Sequence, residues 1–370
     1  MGRDSLSRRS FLKTSTAVSA ALALHVVTEP MLAYAQAPQH APDAVRINAN
    51  ENPLGPCSAA RKAVADITPR SWRYLTELAD DLEQQFAQSM GVKPEQVSIF
   101  AGSTPPLNFT VRAWCSPSAS YVTADPGFEA GMFAAQRAGA RLVKVPLTKT
   151  YSHDVRAMIS AAPDAGVFYV CNPNNPTGTL TSHPDIDYLL EHKPKNSIVL
   201  VDEAYIHFSD APSAIDLVKA GKDVIVLRTF SKIYGMAGLR CGFAIARPDL
   251  LDKIHSYGGF NFMPVTAVAA ASASLQDSSL LPERKRINAQ VRTATFQWLE
   301  RNGYSYIPSV TNFFLLDTKH PAKELVTAMA KQDVIIGRSW PSMPNYARIT
   351  VGSSDDMAHF QNALQKVLNG

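Results

Sequence analysis

Strands that are apolar at every position have to be covered on both faces, and this chain carries several of them. Val167-Phe168-Tyr169-Val170-Cys171 and Ile198-Val199-Leu200-Val201 show no polar alternation, so neither suits a half-solvated sheet. Further candidate strands lie at Val97–Phe100, Tyr121–Ala124, Leu142–Val145, Val224–Thr229 and Cys241–Ala246, with helical segments between most of them. That alternation predicts an α/β fold whose large domain is a mainly parallel, doubly wound sheet. Ahead of it, short helices are expected around Ser58–Ala65 and Leu75–Met90; the second has an apolar stripe at Leu75, Leu78, Leu82 and Phe86. A long helix over Leu281–Arg301 then leads to a smaller α+β C-terminal domain. Strands near Tyr304–Ile307, Phe313–Leu316 and Arg348–Val351 and a last helix over Asp355–Val367 make up that region.

In open α/β sheets ligands bind beyond the carboxyl ends of the strands, and here those ends carry reactive groups. The run Val224 to Leu227 leads through Thr229 and Phe230 to Ser231-Lys232, then to a Gly-rich loop, Gly235-Met236-Ala237-Gly238, and to Arg240. An amine, a hydroxyl and a fixed guanidinium suit a lysine bonded to pyridoxal phosphate, with Ser231 and Arg240 gripping the phosphate. Taken alone, a surface lysine and a salt-bridged arginine would read the same way. Asp202 closes another buried strand, as a helix cap or as the carboxylate that a pyridine nitrogen needs. Tyr205 follows within reach of the ring oxygen. The turn Asn172-Pro173-Asn174-Asn175-Pro176-Thr177-Gly178 is a shaped loop in which Asn175 offers an amide N–H to an oxyanion.

With these motifs in this order, the chain resembles the fold-type I pyridoxal-phosphate enzymes of the class I and II aminotransferase superfamily. The histidinol-phosphate aminotransferase branch is the most similar. Asn50-Glu51-Asn52-Pro53-Leu54-Gly55-Pro56 and Arg348-Ile349-Thr350-Val351-Gly352 extend the resemblance from about Asn48 to the C-terminus. It implies pyridoxal 5′-phosphate as cofactor, with Lys232, Asp202 and Tyr205 as catalytic residues. Ser103 and Thr104 then belong to the phosphate cup, at the start of a helix whose free N–H groups are a natural anion seat. Phe128 is the aromatic over the pyridine ring, keeping the stacking face without a hydroxyl. Tyr74 reaches the cofactor phosphate of a neighbouring subunit, which implies a homodimer with shared active sites. Arg348 pairs with the substrate carboxylate, Arg338 lies where the substrate side chain is selected, and Asn52 and Tyr257 are expected in the pocket wall. Trp340, Tyr346 and Phe128 hint at an apolar or aromatic-tolerant pocket.

The implied reaction moves an amino group from an L-amino acid, or an amino-acid-like amine, to a 2-oxo acid. Decarboxylation, racemisation or oxidation of an amino acid on the same scaffold differs by a few contacts that choose the bond to be broken. A non-catalytic protein that binds the cofactor or an amino acid is a remoter reading, because both the lysine and the ring aspartate are present.

The leader adds a location. Ser7-Arg8-Arg9-Ser10-Phe11-Leu12-Lys13 precedes a modestly apolar segment, Ala17 to Val27, and Ala33-Tyr34-Ala35 offers a cleavage site. This resembles a twin-arginine signal peptide and implies export of a folded, cofactor-loaded protein to the periplasm by the twin-arginine machinery. If the leader is not cleaved, the protein is anchored. The expected organisation is a signal peptide at 1–35, a linker and arm at 36–66, the large cofactor-binding domain at 67–255 and the small domain at 256–370. The net charge of +4 includes the leader's basic residues, and no basic run outside the leader makes a nucleic-acid surface. Arg284-Lys285-Arg286 is expected on a solvated helix face. No His/Cys/Asp cluster has metal-ligand spacing, so no metal is expected. Cys57, Cys115, Cys171 and Cys241 are expected as buried thiols. His207 is expected as a hydrogen-bonded structural residue.

Overall fold

The computed structural model describes residues 31–32, 43–258 and 262–369. The twin arginines Arg8 and Arg9 and the expected cleavage site at Ala33-Tyr34-Ala35 lie outside the described residues. The chain enters through β1 (Val45–Ile47), α1 (Ser58–Ile67) and α2 (Glu77–Met90). Strands and helices then alternate: β2 (Val97–Phe100), α3 (Thr104–Trp114), β3 (Ser120–Asp125), α4 (Ala130–Arg137), β4 (Leu142–Pro146) and α5 (Val155–Ala161). The alternation continues through β5 (Ala165–Cys171), α6 (His183–His192), β6 (Ile198–Asp202), α7 (Ile215–Lys219), β7 (Val224–Thr229) and β8 (Gly242–Ile245). Three helices follow, α8 (Pro248–Gly258), α9 (Val265–Gln276) and the long α10 (Leu280–Arg301). The rest of the chain is β9 (Tyr306–Ile307), β10 (Phe313–Asp317), α11 (Ala322–Ala330), β11 (Val334–Ile336), β12 (Tyr346–Thr350) and α12 (Ser354–Asn369).

The seven-stranded sheet has the order β2-β8-β7-β6-β5-β3-β4. Its strands from β7 to β4 are parallel, and β8 runs antiparallel to both of its neighbours. The expected α/β class and mainly parallel sheet are therefore present. The alternation of strand side chains sorts them into two cores. Phe168, Val170, Val199, Val201, Val224 and Val226 pack on one face with helices α1, α2 and α9. Val167, Tyr169, Cys171, Ile198, Leu200, Ile225 and Leu227 pack on the other. Asp202 continues the second series, so β6 delivers its carboxylate to the face that also holds Tyr169.

The smaller unit is built on the three-stranded antiparallel sheet β12-β10-β9, around a separate core that includes Phe314, Leu316, Ile349 and Phe360. Beside it β1 pairs in parallel with β11, so the N-terminal arm is stitched to the C-terminal part of the chain. Neither of these short strands is expected from the sequence. Ala267, Val268, Ala270 and Ala271 of α9 are buried in the larger core. The expected division at 255/256 thus falls inside this packing, and Ala60 of α1, assigned to the arm, lies in the same core.

One surface expectation fails. Arg284 is buried, and its guanidinium donates to the carbonyls of Ile233 (2.9 Å) and Gly55 (2.6 Å). Lys285 donates to the Ser209 carbonyl at 2.7 Å. Instead of a solvated stripe, this end of α10 holds the backbone that follows Lys232, because the guanidinium donates to buried carbonyls there. All four cysteines are free and buried. His207 accepts from the Arg228 guanidinium across 2.8 Å, and Arg228 pairs with the buried Glu203 carboxylate, also at 2.8 Å. Burial and the neighbouring Arg228 push the His207 pKa well down, so its ring is neutral.

Candidate active site

At the carboxyl end of β6, Asp202 is 3% exposed and faces a cavity lined also by Ser103, Thr104, Phe128, Asn175, Tyr205, Ser231, Lys232 and Arg240. The Tyr169 hydroxyl donates to Asp202 Oδ2 at 2.9 Å, and the Ala204 N–H donates to Oδ1 at 3.2 Å. Burial pushes the Asp202 carboxyl up to about 6, against the pull of those two donors. A carboxylate held this way gains from any cation set against it.

The loop after β7 supplies the amine. Lys232 is 8% exposed; its Nζ donates to the Ala49 carbonyl at 3.3 Å and lies 5.5 Å from the centre of the Tyr205 ring. Beside it, Ser231 Oγ accepts from Thr229 Oγ1 at 2.9 Å and from Arg240 Nη1 at 3.1 Å. The Arg240 guanidinium also donates to the carbonyls of Ala237 (3.0 Å) and Ala101 (3.4 Å), and among the described residues no carboxylate pairs with it. Space for that guanidinium exists because residue 102 is glycine. A Cβ there would stand 2.1 Å from Arg240 Nη2, and Gly102 has φ +90°, a region other residues avoid. At the start of α3 the two prolines, Pro105 and Pro106, carry no N–H, so an anion seated there depends on Ser103 and Thr104.

The far side of the cavity is assembled from distant segments. Arg348, on β12, is fully buried; Nη1 donates to Asn175 Oδ1 and Nη2 to the Asn48 carbonyl, both at 2.8 Å. The turn bearing Asn175 is pinned by Asn174, whose amide donates to Thr177 Oγ1 at 3.0 Å. Gly178 at its end has φ +71°, and a Cβ there would stand 1.9 Å from Ser309 Oγ. Asn50 closes the arm over the site. Its side-chain amide donates to Tyr205 Oη at 3.0 Å, and its own N–H donates to Thr350 Oγ1, also at 3.0 Å. Asn50 has φ 54°, a left-handed conformation that asparagine tolerates better than most residues.

Five sequence candidates stand apart from this cavity wall: Arg348, buried behind Asn175, and four more. Asn52 uses its amide to donate to the Ile233 carbonyl at 3.0 Å, beside Lys232. Arg338 is buried and engaged with Glu129, through Nη1–Oε1 at 2.5 Å and Nη2–Oε2 at 2.7 Å. Tyr74 is 76% exposed and lies against the exposed Phe262, with ring centroids 5.0 Å apart. Tyr257, also expected in the wall, is 39% exposed and instead lies under the Arg112 guanidinium. Four contributors carry no assigned role in the sequence reading: Asn50, Tyr169, Glu129 and the Asn48–Ala49 backbone. Asn50 opens the stretch running to Pro56, and that stretch is the signal that could have found it. Tyr169 has no signal beyond its place on a strand next to β6.

The chain matches the model of the family described as aminotransferase class I and II over residues 42–366, and it belongs to that family. Residues 5–25 match the twin-arginine translocation signal sequence, which supports export. A histidinol-phosphate aminotransferase from Moorella thermoacetica is 33% identical over 88% of this chain and 86% of its own length. An aromatic amino acid aminotransferase from Cutibacterium acnes is 34% identical over 91% of this chain and 96% of its own. A solved histidinol-phosphate aminotransferase from Sinorhizobium meliloti, in complex with pyridoxal-5′-phosphate, superposes with a TM-score of 0.81 at 26% identity, covering 99% of both chains. The protein is a pyridoxal-phosphate-dependent aminotransferase of fold type I. Its residues fit that cofactor: a buried amine, a buried carboxylate gaining from a cation, and a guanidinium–hydroxyl pair in a niche that a Cβ at position 102 would fill.

Proposed function

We propose that the exported enzyme works in the periplasm as a homodimer, with Lys232, Asp202 and Tyr205 performing the chemistry and Arg348 binding the substrate. The reaction moves the amino group of an L-amino acid, or of an amino-acid-like amine, to a 2-oxo acid. The observation that carries the reading is the meeting of Lys232 and Asp202 on one cavity, with Arg348 joined to its wall through Asn175.

Pyridoxal phosphate supplies, when bound, a carbonyl carbon that condenses with amines and a ring that takes up the electron pair left by a broken Cα–H bond. Ser231, Arg240 and the N–H groups of Ser103 and Thr104 hold its phosphate. Asp202 would keep the cofactor's ring nitrogen protonated, Tyr169 holds Asp202 through its hydroxyl, and Phe128 would supply an aromatic surface for the ring. Asn175 and Tyr205 would hold the ring oxygen, and Asn50 holds Tyr205. Arg348 would take the substrate carboxylate through its guanidinium and so orient the Cα–H bond that breaks. Lys232 would hold the cofactor, and its Nζ, once free, would act as the base that removes the substrate α-proton and the acid that returns it. Asn52 acts by fixing the backbone at Ile233.

Exposure of Trp72 (74%), Tyr74 (76%) and Phe262 (55%) supports burial of this surface against a second copy. In that dimer the partner subunit's Tyr74 reaches the cofactor phosphate. The test of the function is anaerobic addition of single L-amino acids to the mature, loaded protein. Stoichiometric loss of the yellow absorption with release of the matching 2-oxo acid is expected. Retention of colour with release of carbon dioxide or a racemised amino acid would overturn it.

A further inference from the structure

The ion pair between Glu129 and Arg338 stands beside the site and has no part in the roles above. Both carboxylate oxygens meet the guanidinium edge, at 2.5 and 2.7 Å, and the Arg338 side chain is only 3% exposed. Arg338 Cζ lies 4.1 Å from the centre of the Trp340 ring, and Arg348 Cζ lies 5.5 Å from the same ring. Glu129 directly follows Phe128, which lines the cavity. The two segments are clasped further by Trp340 Nε1 donating to the Gly127 carbonyl (3.3 Å) and Ser342 Oγ donating to Asp125 Oδ1 (2.9 Å).

A substrate whose carboxylate is held by Arg348 therefore has Trp340 as a neighbour, with Arg338 against the same indole. Alone, Arg338 would draw a second anion to that side. We propose that Glu129 is a built-in counterion that closes this side to anionic side chains. The enzyme then takes amino acids with uncharged side chains, and the aromatic surface of Phe128, which lines the cavity, favours aromatic ones. An incoming carboxylate or phosphate must displace Glu129 from a two-pronged contact or lie beside its like charge, and both cost affinity. An uncharged ring meets neither obstacle, so selection comes from a repulsive element as much as from an attractive one. The inference rests on the role given to Arg348.

The test uses the mature, cofactor-loaded protein and two non-reacting carboxylates, 3-phenylpropanoate and glutarate, with affinities measured by calorimetry. Wild type is expected to prefer 3-phenylpropanoate by on the order of a hundredfold. Glu129→Gln should narrow that preference by about tenfold or more, through tighter glutarate binding. Adding Arg338→Gln to Glu129→Gln should restore the aromatic preference, which loss of packing alone would not do. Equal affinities in wild type, or an unchanged ratio in Glu129→Gln, would overturn the inference and leave the aminotransferase reading intact. If neither compound binds wild type in competition with an amino acid, the role of Arg348 falls as well.

Discussion

The proposed cofactor end and the proposed substrate end of this site are built in different ways. Asp202, Ser231, Lys232 and Arg240 sit where adjacent parallel strands stop, on a frame whose strands are buried on both faces. Their positions follow from the sheet. The substrate end draws on the arm at Asn48–Asn50, the Asn175 turn, Glu129 and the β11–β12 region, joined by hydrogen bonds across as many as 300 residues. The first end is preformed by the core. The second is assembled where the arm and the smaller sheet meet the larger one.

That contrast sets the scale of what substitutions should do. Lys232→Ala is expected to have the largest effect, lowering turnover by about ten-thousandfold or more, since it removes both the attachment point and the proton carrier. Single-turnover spectroscopy would check it, and retained turnover would break the assignment. Asp202→Asn should come next, with a loss of roughly a thousandfold in kcat, because an amide stabilises a protonated ring nitrogen poorly. Arg348→Lys should raise KM for amino acids by about a hundredfold while leaving the cofactor spectrum unchanged, because a point charge replaces a two-pronged fork. A spectrum altered as much as the KM would erase the distinction between the two ends. Asn50→Ala should be milder, about tenfold in kcat/KM with a stability loss of about 1–3 kcal/mol, as it removes the amide donor to Tyr205 and the oxygen that accepts from the Thr350 hydroxyl.

Asp202 also gives the comparison a pH dependence. Its carboxyl is pushed up to about 6 in the folded chain from an ordinary value of 3.8. The cofactor-free fold therefore binds a proton that the unfolded chain has released, and stability falls as pH rises between those values. The effect is on the order of 3 kcal/mol. A protonated ring nitrogen against Asp202 offsets this cost, so the gain in melting temperature on loading should widen as pH rises from about 5 to about 7. Asp202→Asn should flatten that trend.

How much of this is legible in the sequence follows the same division. Unbroken apolar runs mark strands buried on both faces, and the reactive residues that follow them, taken together and in order, become site candidates. So Asp202, Lys232, Ser231 and Arg240 are readable, and Asn175 is readable from its turn. The arm is not: β1 and β11 are short strands whose pairing is decided by tertiary closure, and nothing local announces it. Arg284 misleads for a related reason. Its neighbours Lys285 and Arg286 make a solvated face look certain, yet one step around the helix the guanidinium turns inward to the Ile233 and Gly55 carbonyls. Glu129 carries no signal because its meaning comes from Arg338, far along the chain.

The claim beneath all of this is that Lys232 is the residue that bonds to the cofactor. Borohydride reduction of the loaded protein, followed by peptide mass mapping, tests it directly. The account predicts one pyridoxyl-phosphate mass addition, on the peptide containing Lys232 and lost in Lys232→Ala. A single addition on any other lysine, or none on a protein that is yellow, would contradict it.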